Sequence, residues 1–239
     1  METEFIKSDW EVRCIPFSEA KEWVVCKHYA HRIPPISHAF GLYDKDKILQ
    51  GVCTYGTPMS SQLKNCLGEK WADKLLELNR LCVNEGLPRN ALSFFVGQTF
   101  KMLPSPCPLV SYADTGQHHH GYIYQATNWI YTGLSAKFDD YVVKGLEHLH
   151  SASIGDRAGR TDKKGHGFSR VQKLREMYGE ENVYLKERSR KHRYFYFLGD
   201  KRQTRQMKAA LPYEIEPYPK GDNIRYDASY ETHPCGVLF

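Results

Sequence analysis

No stretch of this 239-residue chain approaches the roughly 20 consecutive apolar residues that cross a bilayer, so no membrane-spanning segment is expected. The first ten residues hold Glu2, Glu4 and Asp9 and no apolar core, so no secretory signal is expected there. The seven cysteines run from Cys14 to Cys235 without a Cys-x-x-Cys pair. Odd in number and scattered, they fit a reduced cytoplasmic chain better than a disulfide scaffold or a zinc ribbon. A phosphate-binding P-loop, a dinucleotide fingerprint, a nucleophile elbow and a zinc-protease helix are all missing. These absences leave the commonest nucleotidase, dehydrogenase, serine-hydrolase and metalloprotease readings without support. No internal repeat is present.

What the chain does have is an uneven charge. Its net charge is +5. Residues 151–208 hold 16 Lys and Arg against 7 Asp and Glu, a net of +9, and the remainder holds 17 against 21, a net of −4. Such asymmetry suits a polyanionic partner, although a solvated basic surface gives the same numbers. The composition shift at residue 151 suggests a core over 1–150 and a basic C-terminal part over 151–239, packed on the core and binding DNA.

The hydrophobic periods alternate between strand and helix. A helix is expected from Ser18 to about Tyr29, ended before Pro34-Pro35. Strands are expected over 39–43, 48–55, 75–83, 109–113, 129–131, 141–143 and 194–198. The clearest helix places Leu92, Phe95, Val96, Phe100 and Leu103 on one face. Shorter helices are expected over 122–128, from Phe168 to Tyr178, and after the Asp200 cap, with residues 155–167 as a basic loop. The alternation predicts an α/β layer fold.

Several residues fall where chemistry is commonly placed. Arg80 sits on an otherwise apolar strand, where an arginine is rare unless paired. It is either an anion binder or half of an ion pair with Glu77 or Asp114. Asp114 ends a strand, where ligands of open α/β sheets bind, but a turn aspartate is the alternative. Tyr124 lies in a segment dense in hydroxyls and rings, and is either a proton donor or a packed aromatic. His28-Tyr29 stands at a helix end. His118-His119-His120 reads as a polar loop, because adjacent histidines rarely converge on one ion. Lys191-His192-Arg193-Tyr194 interleaves cations with rings, which suits nucleic acid or an edge strand alike.

The order of these motifs resembles the Mom DNA-modification family of phages. The resemblance rests on His28-Tyr29, Leu78-Asn79-Arg80-Leu81, Leu87-Pro88-Arg89-Asn90 with Ser93, Ser111-Tyr112-Ala113-Asp114, and Ile123-Tyr124-Gln125-Ala126-Thr127-Asn128-Trp129. It continues from Lys191-His192-Arg193-Tyr194 to Pro217-Tyr218-Pro219-Lys220 and so covers most of residues 20–220. It implies a mixed sheet flanked by helices, as in the GCN5-related N-acyltransferases. It also implies conversion of adenine in double-stranded DNA to a carbamoylmethyl derivative, which protects phage DNA from restriction in the host cytoplasm. The catalytic candidates it implies are His28, Tyr29, Arg80, Ser93, Asp114 and Tyr124.

An enzyme that acts on a paired base must flip it out, and Tyr29, Tyr122 and Trp129 are candidates to stack it. Lys163, Lys164, Arg170, Lys191, Arg193 and Arg202 are candidates to hold the phosphates. The acyl donor is either acetyl-coenzyme A or a glycyl-transfer RNA. The coenzyme A turn usual in such acyltransferases is Gly-rich, whereas Asn84–Asn90 here has one glycine. The resemblance also admits an iron requirement, with no ligands assignable from the sequence. The competing classes are a non-catalytic DNA-binding protein and an acyltransferase for protein or small amines.

Overall fold

The computed structural model describes residues 4–149, 151–159 and 168–221. Lys163 and Lys164, two of the expected DNA contacts, lie outside them. The described chain forms two units, Met1–Leu134 with Lys191–Phe239, and Ser135–Arg190.

The first unit is built on a mixed sheet of seven strands. In sheet order these are β1 (Glu11–Cys14), β2 (His38–Tyr43), β3 (Leu49–Gly56), β4 (Leu76–Val83), β5 (Cys107–Asp114), β9 (Lys191–Leu198) and β6 (Ile130–Leu134). All neighbours are antiparallel except β4 and β5. One face is covered by α4 (Ala91–Met102) and α5 (Tyr122–Ala126), over a core that includes Phe40, Tyr55, Phe95, Leu109, Trp129 and Tyr194. The other face is covered at one end by α1 (Phe17–Glu22), where Ala20 and Trp23 meet Val52 and Cys82. At the other end α2 (Ser61–Lys64), α3 (Glu69–Ala72) and α8 (Lys201–Ala209) cover it, where Leu63, Trp71 and Met207 meet Val110 and Phe195. The expected α/β fold with a mixed sheet flanked by helices is therefore observed.

The second unit pairs β7 (Asp139–Val143) with β8 (Val183–Glu187) and carries α6 (Ser151–Arg157) and α7 (Phe168–Tyr178). Val143, Ile154, Leu174 and Val183 form its own small core. Its ends meet where Arg190 Nε donates to the Ser135 carbonyl at 2.6 Å.

The expected boundary at residue 150 is thus displaced. β9 is an interior strand of the main sheet, with Tyr194 and Phe195 buried on opposite faces, so residues 191–221 belong to the first unit. Composition misleads here because the basic residues of 151–208 are distributed over both units. Residues 155–157, expected in a loop, are helical, while most of the rest of that stretch lies outside the described residues. Strands β1 and β8 were not expected; β8 carries no clear alternation, whereas Trp10 to Cys14 does alternate apolar and polar residues but over too few positions to stand out.

Candidate active site at the split in the sheet

β4 and β5 are each eight residues long but pair only through Leu76–Leu78 and Leu109–Ser111. Beyond that point β4 stays with β3 and β5 stays with β9, so the sheet parts between Asn79–Val83 and Tyr112–Asp114. Backbone groups and side chains at such a parting are open to a ligand, as at the carboxyl ends of strands in other α/β sheets.

A β-bulge sets which side chains meet there. Thr54 pairs with Arg80 and Tyr55 with Leu78, leaving Asn79 as the extra residue. One extra residue reverses the strand's alternation. Leu76 and Leu78 before it, and Leu81 and Val83 after it, all pack on the α4 face. Glu77, Arg80 and Cys82 are left on the face that α1 covers, with Cys82 in the core beside Trp23. Glu77 and Arg80, three residues apart, thereby share one side of the sheet.

The bulge also ties down the segment that follows the first helix. The Asn79 amide donates to the Pro35 carbonyl at 2.7 Å, and its oxygen accepts from Thr54 Oγ1 at 2.6 Å. A Cβ on Gly56 would stand 1.8 Å from the same Pro35 oxygen, so only glycine lets the segment lie this close. Arg80 donates to the Asn79 carbonyl at 2.6 Å and to the Arg32 carbonyl at 3.0 Å. Its Nε is shielded from solvent and has no partner. Arg80 forms no ion pair with Glu77 or Asp114, so the structural alternative from the sequence does not arise. Burial lowers its pKa, with Tyr29 and Glu77 opposing that shift, but a guanidinium remains a cation at neutral pH.

His28 and Tyr29 reach this cation from a single π-helical turn, Trp23–Lys27, that ends the first helix. Such turns recur at functional sites. His28 is buried. Burial first, then Arg80, His31, His119 and Lys191, push its pKa down to about 3. Its Nδ1 accepts the Ala30 amide at 3.1 Å, so the neutral ring carries its proton on Nε2. His28 is therefore a neutral donor and a poor base. Tyr29 lies against His28 and meets His119 edge-on at 6.2 Å. Its pKa is raised by burial and by Asp114, with Arg80 acting in the opposite sense.

Across the split, Asp114 Oδ1 accepts the Gly116 amide at 2.9 Å and Oδ2 pairs with Lys191 Nζ at 3.4 Å. Lys191 stands opposite Asp114 in the β5–β9 register, which fixes this pair. Glu77 joins the cluster, its carboxyl pushed up by burial and lowered by Arg80 and Lys191.

On the α4 side, Tyr124 is buried with its hydroxyl 2.7 Å from Ser111 Oγ, which in turn contacts the Leu78 carbonyl at 2.7 Å. Burial raises the Tyr124 pKa, and Tyr29 and Glu77 add to the shift. Gly121, at φ +74°, starts α5 so close to the Tyr194 ring that a Cβ would stand 2.5 Å from it. That contact seats the short helix carrying Tyr124.

Five expected catalytic residues, His28, Tyr29, Arg80, Asp114 and Tyr124, thus belong to one electrostatically connected cluster. Ser93 differs: it lies on the first turn of α4 with Oγ on the Asn90 carbonyl at 3.0 Å. Trp129, an expected stacking ring, is fully buried against Phe100, Tyr124 and Tyr196 and is a core residue. Tyr122 is 61% exposed. Lys191 pairs with Asp114 at 3.4 Å. Arg193 is also engaged, donating to Thr132 Oγ1 and its carbonyl at 2.9 Å each and lying 3.4 Å over the Tyr213 ring. Arg170 packs beside Gly155 in the second unit, and Arg202 is exposed on α8. Among the described residues no three His, Cys, Asp or Glu side chains gather as a metal ligand set. No helix among the described residues is long and apolar enough to cross a membrane.

Sequence reasoning missed the roles of Glu77, Ser111 and Asn79. Ser111 stands in one of the motifs that carry the resemblance, but nothing there signals its bond to Tyr124. A polar Glu-x-Asn-Arg run inside an apolar strand was the available hint of a bulge.

The profile of the Mom protein family matches residues 9–220. A curated relative, the methylcarbamoylase Mom of Escherichia phage Mu, is 27% identical over 206 residues, covering 84% of this chain and 80% of the relative. Among solved structures, spermidine N-acetyltransferase from Vibrio cholerae in complex with CoA and spermine aligns at 7% identity. That match covers 80% of this chain and 97% of the other, with a TM-score of 0.40. The spermidine/spermine N-acetyltransferase SpeG from Vibrio cholerae in complex with manganese ions aligns at 6% identity over 80% and 93%, also with a TM-score of 0.40.

Proposed function

The chain belongs to the Mom protein family, and from that premise we propose that it is a phage-type DNA-modification transferase acting on the exocyclic amine of adenine in double-stranded DNA. The observation that carries this reading is Arg80, a half-buried cation clamped by two backbone carbonyls, without a carboxylate partner, at the split of the sheet. The named activity of the phage Mu relative, methylcarbamoylase, supports the same class.

The adenine amine is a weak nucleophile because its lone pair is delocalised into the ring. Reaction therefore requires an activated acyl carbon, close placement and stabilisation of the oxyanion that develops on attack. The base leaves the duplex at a cost of about a few kcal/mol. Its nitrogen forms a bond to the acyl carbon and the bond from that carbon to the donor's leaving group breaks. Arg80 is the group to hold the oxyanion. Asp114 is the group to accept the amine proton, because His28 is held neutral with its basic nitrogen already engaged. Lys191, paired with Asp114 at 3.4 Å, holds that carboxylate in place for the task. The leaving group takes up a proton on departure.

Acetyl-coenzyme A or glycyl-transfer RNA is the donor to be distinguished. A glycyl group supplies the two carbons and the nitrogen of a carbamoylmethyl group, and its amide on adenine is an isomer of that product. An enzyme of this kind works where phage DNA is exposed to restriction, in the host cytoplasm.

Mass spectrometry of nucleosides from plasmid DNA after expression tests the reaction, with an Arg80→Ala control. A heavier adenine nucleoside in the wild-type sample only is expected. Unmodified nucleosides from folded protein would leave a DNA-binding protein without this activity, and a modified protein or polyamine instead would move the acceptor. Labelled glycyl-transfer RNA and labelled acetyl-coenzyme A, supplied separately to purified protein and DNA, identify the donor.

A further inference from the structure

We infer that the first unit carries a second DNA contact, remote from the split, in a groove between α8 and the edge of the sheet, where it holds phosphates of one strand of the duplex. This rests on the reading that DNA is the substrate.

Helix α8 reads Lys-Arg-Gln-Thr-Arg-Gln-Met-Lys-Ala, with four cations and no acid. Its one acidic neighbour, Asp200, is consumed as the N-cap: Asp200 Oδ1 accepts the Gln203 amide at 2.7 Å, and Gln203 Oε1 accepts the Asp200 amide at 2.9 Å. Met207 is fully buried in the core under the helix and so fixes which side faces out. Lys201, Arg205 and Lys208, at i, i+4 and i+7, then line one wall of a groove of about 440 Å³. Tyr196, Phe197 and Asn128 lie across from them. All three cations are exposed, and none forms an ion pair among the described residues. No carboxylate lines this groove.

A second depression of about 290 Å³ shares Asn128, Ile130 and Lys208 with the first and runs on to Tyr218. Glu216 lines that part, so the unopposed positive charge belongs to the Lys201–Lys208 portion.

Three like charges held without counter-charge along a helix suit a polyanion with regular spacing. From Lys201 to Lys208 the helix rises roughly 10 Å at 1.5 Å per residue. That matches about three phosphate-to-phosphate steps along one strand, at 3.4 Å of axial rise each. Asp114 and Lys191 mark the split at one end of β9, and Phe197 lies six residues along the same strand. The groove is therefore roughly 20 Å from the split, or about six base pairs of duplex. Contacts of this kind orient a duplex without reading its sequence.

The test measures the affinity of the full chain for a duplex of about 20 base pairs between roughly 50 and 200 mM salt. It compares wild type with the triple substitution Lys201→Ala, Arg205→Ala, Lys208→Ala. Loss of three phosphate contacts should lower the salt slope by about 2.7, so the wild type loses about 40-fold more affinity over that range than the variant. The charge-preserving pair Lys201→Arg, Lys208→Arg should keep the wild-type slope, and each single alanine should lower it by about 0.9. Hydroxyl-radical footprints should lose protection about six base pairs from the target adenine. A triple variant that melts like wild type with an unchanged slope overturns the inference. So does a variant that weakens only transfer RNA binding, which gives the groove to RNA. Arg80→Ala should keep the slope. Unmodified nucleosides together with an intact slope difference would sink the transferase reading and leave this surface standing.

Discussion

The Ser111 hydroxyl stands 2.7 Å from the Tyr124 phenol oxygen and, on its other side, 2.7 Å from the Leu78 carbonyl. A hydroxyl has one proton, and a carbonyl can only accept. Ser111 therefore shares its one proton between the Leu78 carbonyl and the Tyr124 oxygen, both of which accept from it. The same arrangement recurs beside it, where Tyr55 meets Thr99 at 2.6 Å and Thr99 donates to the Val96 carbonyl at 2.7 Å. Tyr124, an acceptor toward Ser111, keeps its own proton. Protonation of the leaving group is the role proposed for it.

Tyr124→Phe should accordingly lose roughly 10²-fold in modification rate, the scale of a lost proton donor. Its thermal stability should change little, since Ser111 keeps its bond to Leu78. Ser111→Ala should instead destabilise by about 1–3 kcal/mol, because it strands a buried carbonyl and a buried phenol. Near-normal activity of a folded Tyr124→Phe protein would remove Tyr124 from the site.

Arg80 both clamps and charges the split, and the two roles separate by substitution. Arg80→Ala should lower modification about 10²–10³-fold, the cost typical of losing an oxyanion donor. Arg80→Lys retains the charge but cannot bond the Asn79 and Arg32 carbonyls as a planar fork does. Its rate should recover little, and amide exchange over residues 28–35 should accelerate in both variants. A fully active Arg80→Lys enzyme would mean that charge alone suffices.

The helices and central strands were legible because their apolar periods are long, as in Leu92, Phe95, Val96, Phe100 and Leu103. The cluster was only half legible. His28, Tyr29, Arg80, Asp114 and Tyr124 stand in recognisable motifs, but what brings Glu77 and Arg80 to one side is a bulge at Asn79, which no period announces. The role of Lys191 was hidden as well, since it follows from the β5–β9 register, a pairing between strands far apart in sequence. Trp129 shows the opposite error: an aromatic ring beside functional residues suggests stacking, and burial makes it core.

Trp129 and Tyr122 should therefore part company. Trp129→Ala removes a fully buried ring and should cost about 3–5 kcal/mol of stability. Tyr122→Ala removes an exposed ring and should leave stability within about 0.5 kcal/mol. If a flipped base stacks on Tyr122, this variant should bind DNA carrying an unpaired adenine roughly five- to tenfold more weakly, about 1–1.5 kcal/mol. Equal binding would exclude Tyr122 as the stacking surface. Urea titration and fluorescence anisotropy supply the two readouts.

His28 makes the fold sensitive to acid in a defined direction. Its pKa is about 3 when folded and near 6.5 when exposed, so below pH 6.5 the unfolded chain binds the proton that the folded chain refuses. Stability contributed by the neutral ring is complete above pH 6.5 and falls as pH drops from there toward 3. The slope approaches 1.4 kcal/mol per pH unit within that window. Glu77 works the other way: its raised pKa favours the folded state as the carboxyl protonates. The total pH profile is therefore a sum, and the histidine must be isolated by difference. His28→Gln keeps a side-chain amide to meet the Ala30 amide and does not titrate. The stability difference between wild type and His28→Gln, taken from urea midpoints, should shrink steadily between pH 6.5 and 4.5. A difference that stays constant over that range would mean that His28 is solvated and able to charge, which would restore it as a candidate base beside Asp114.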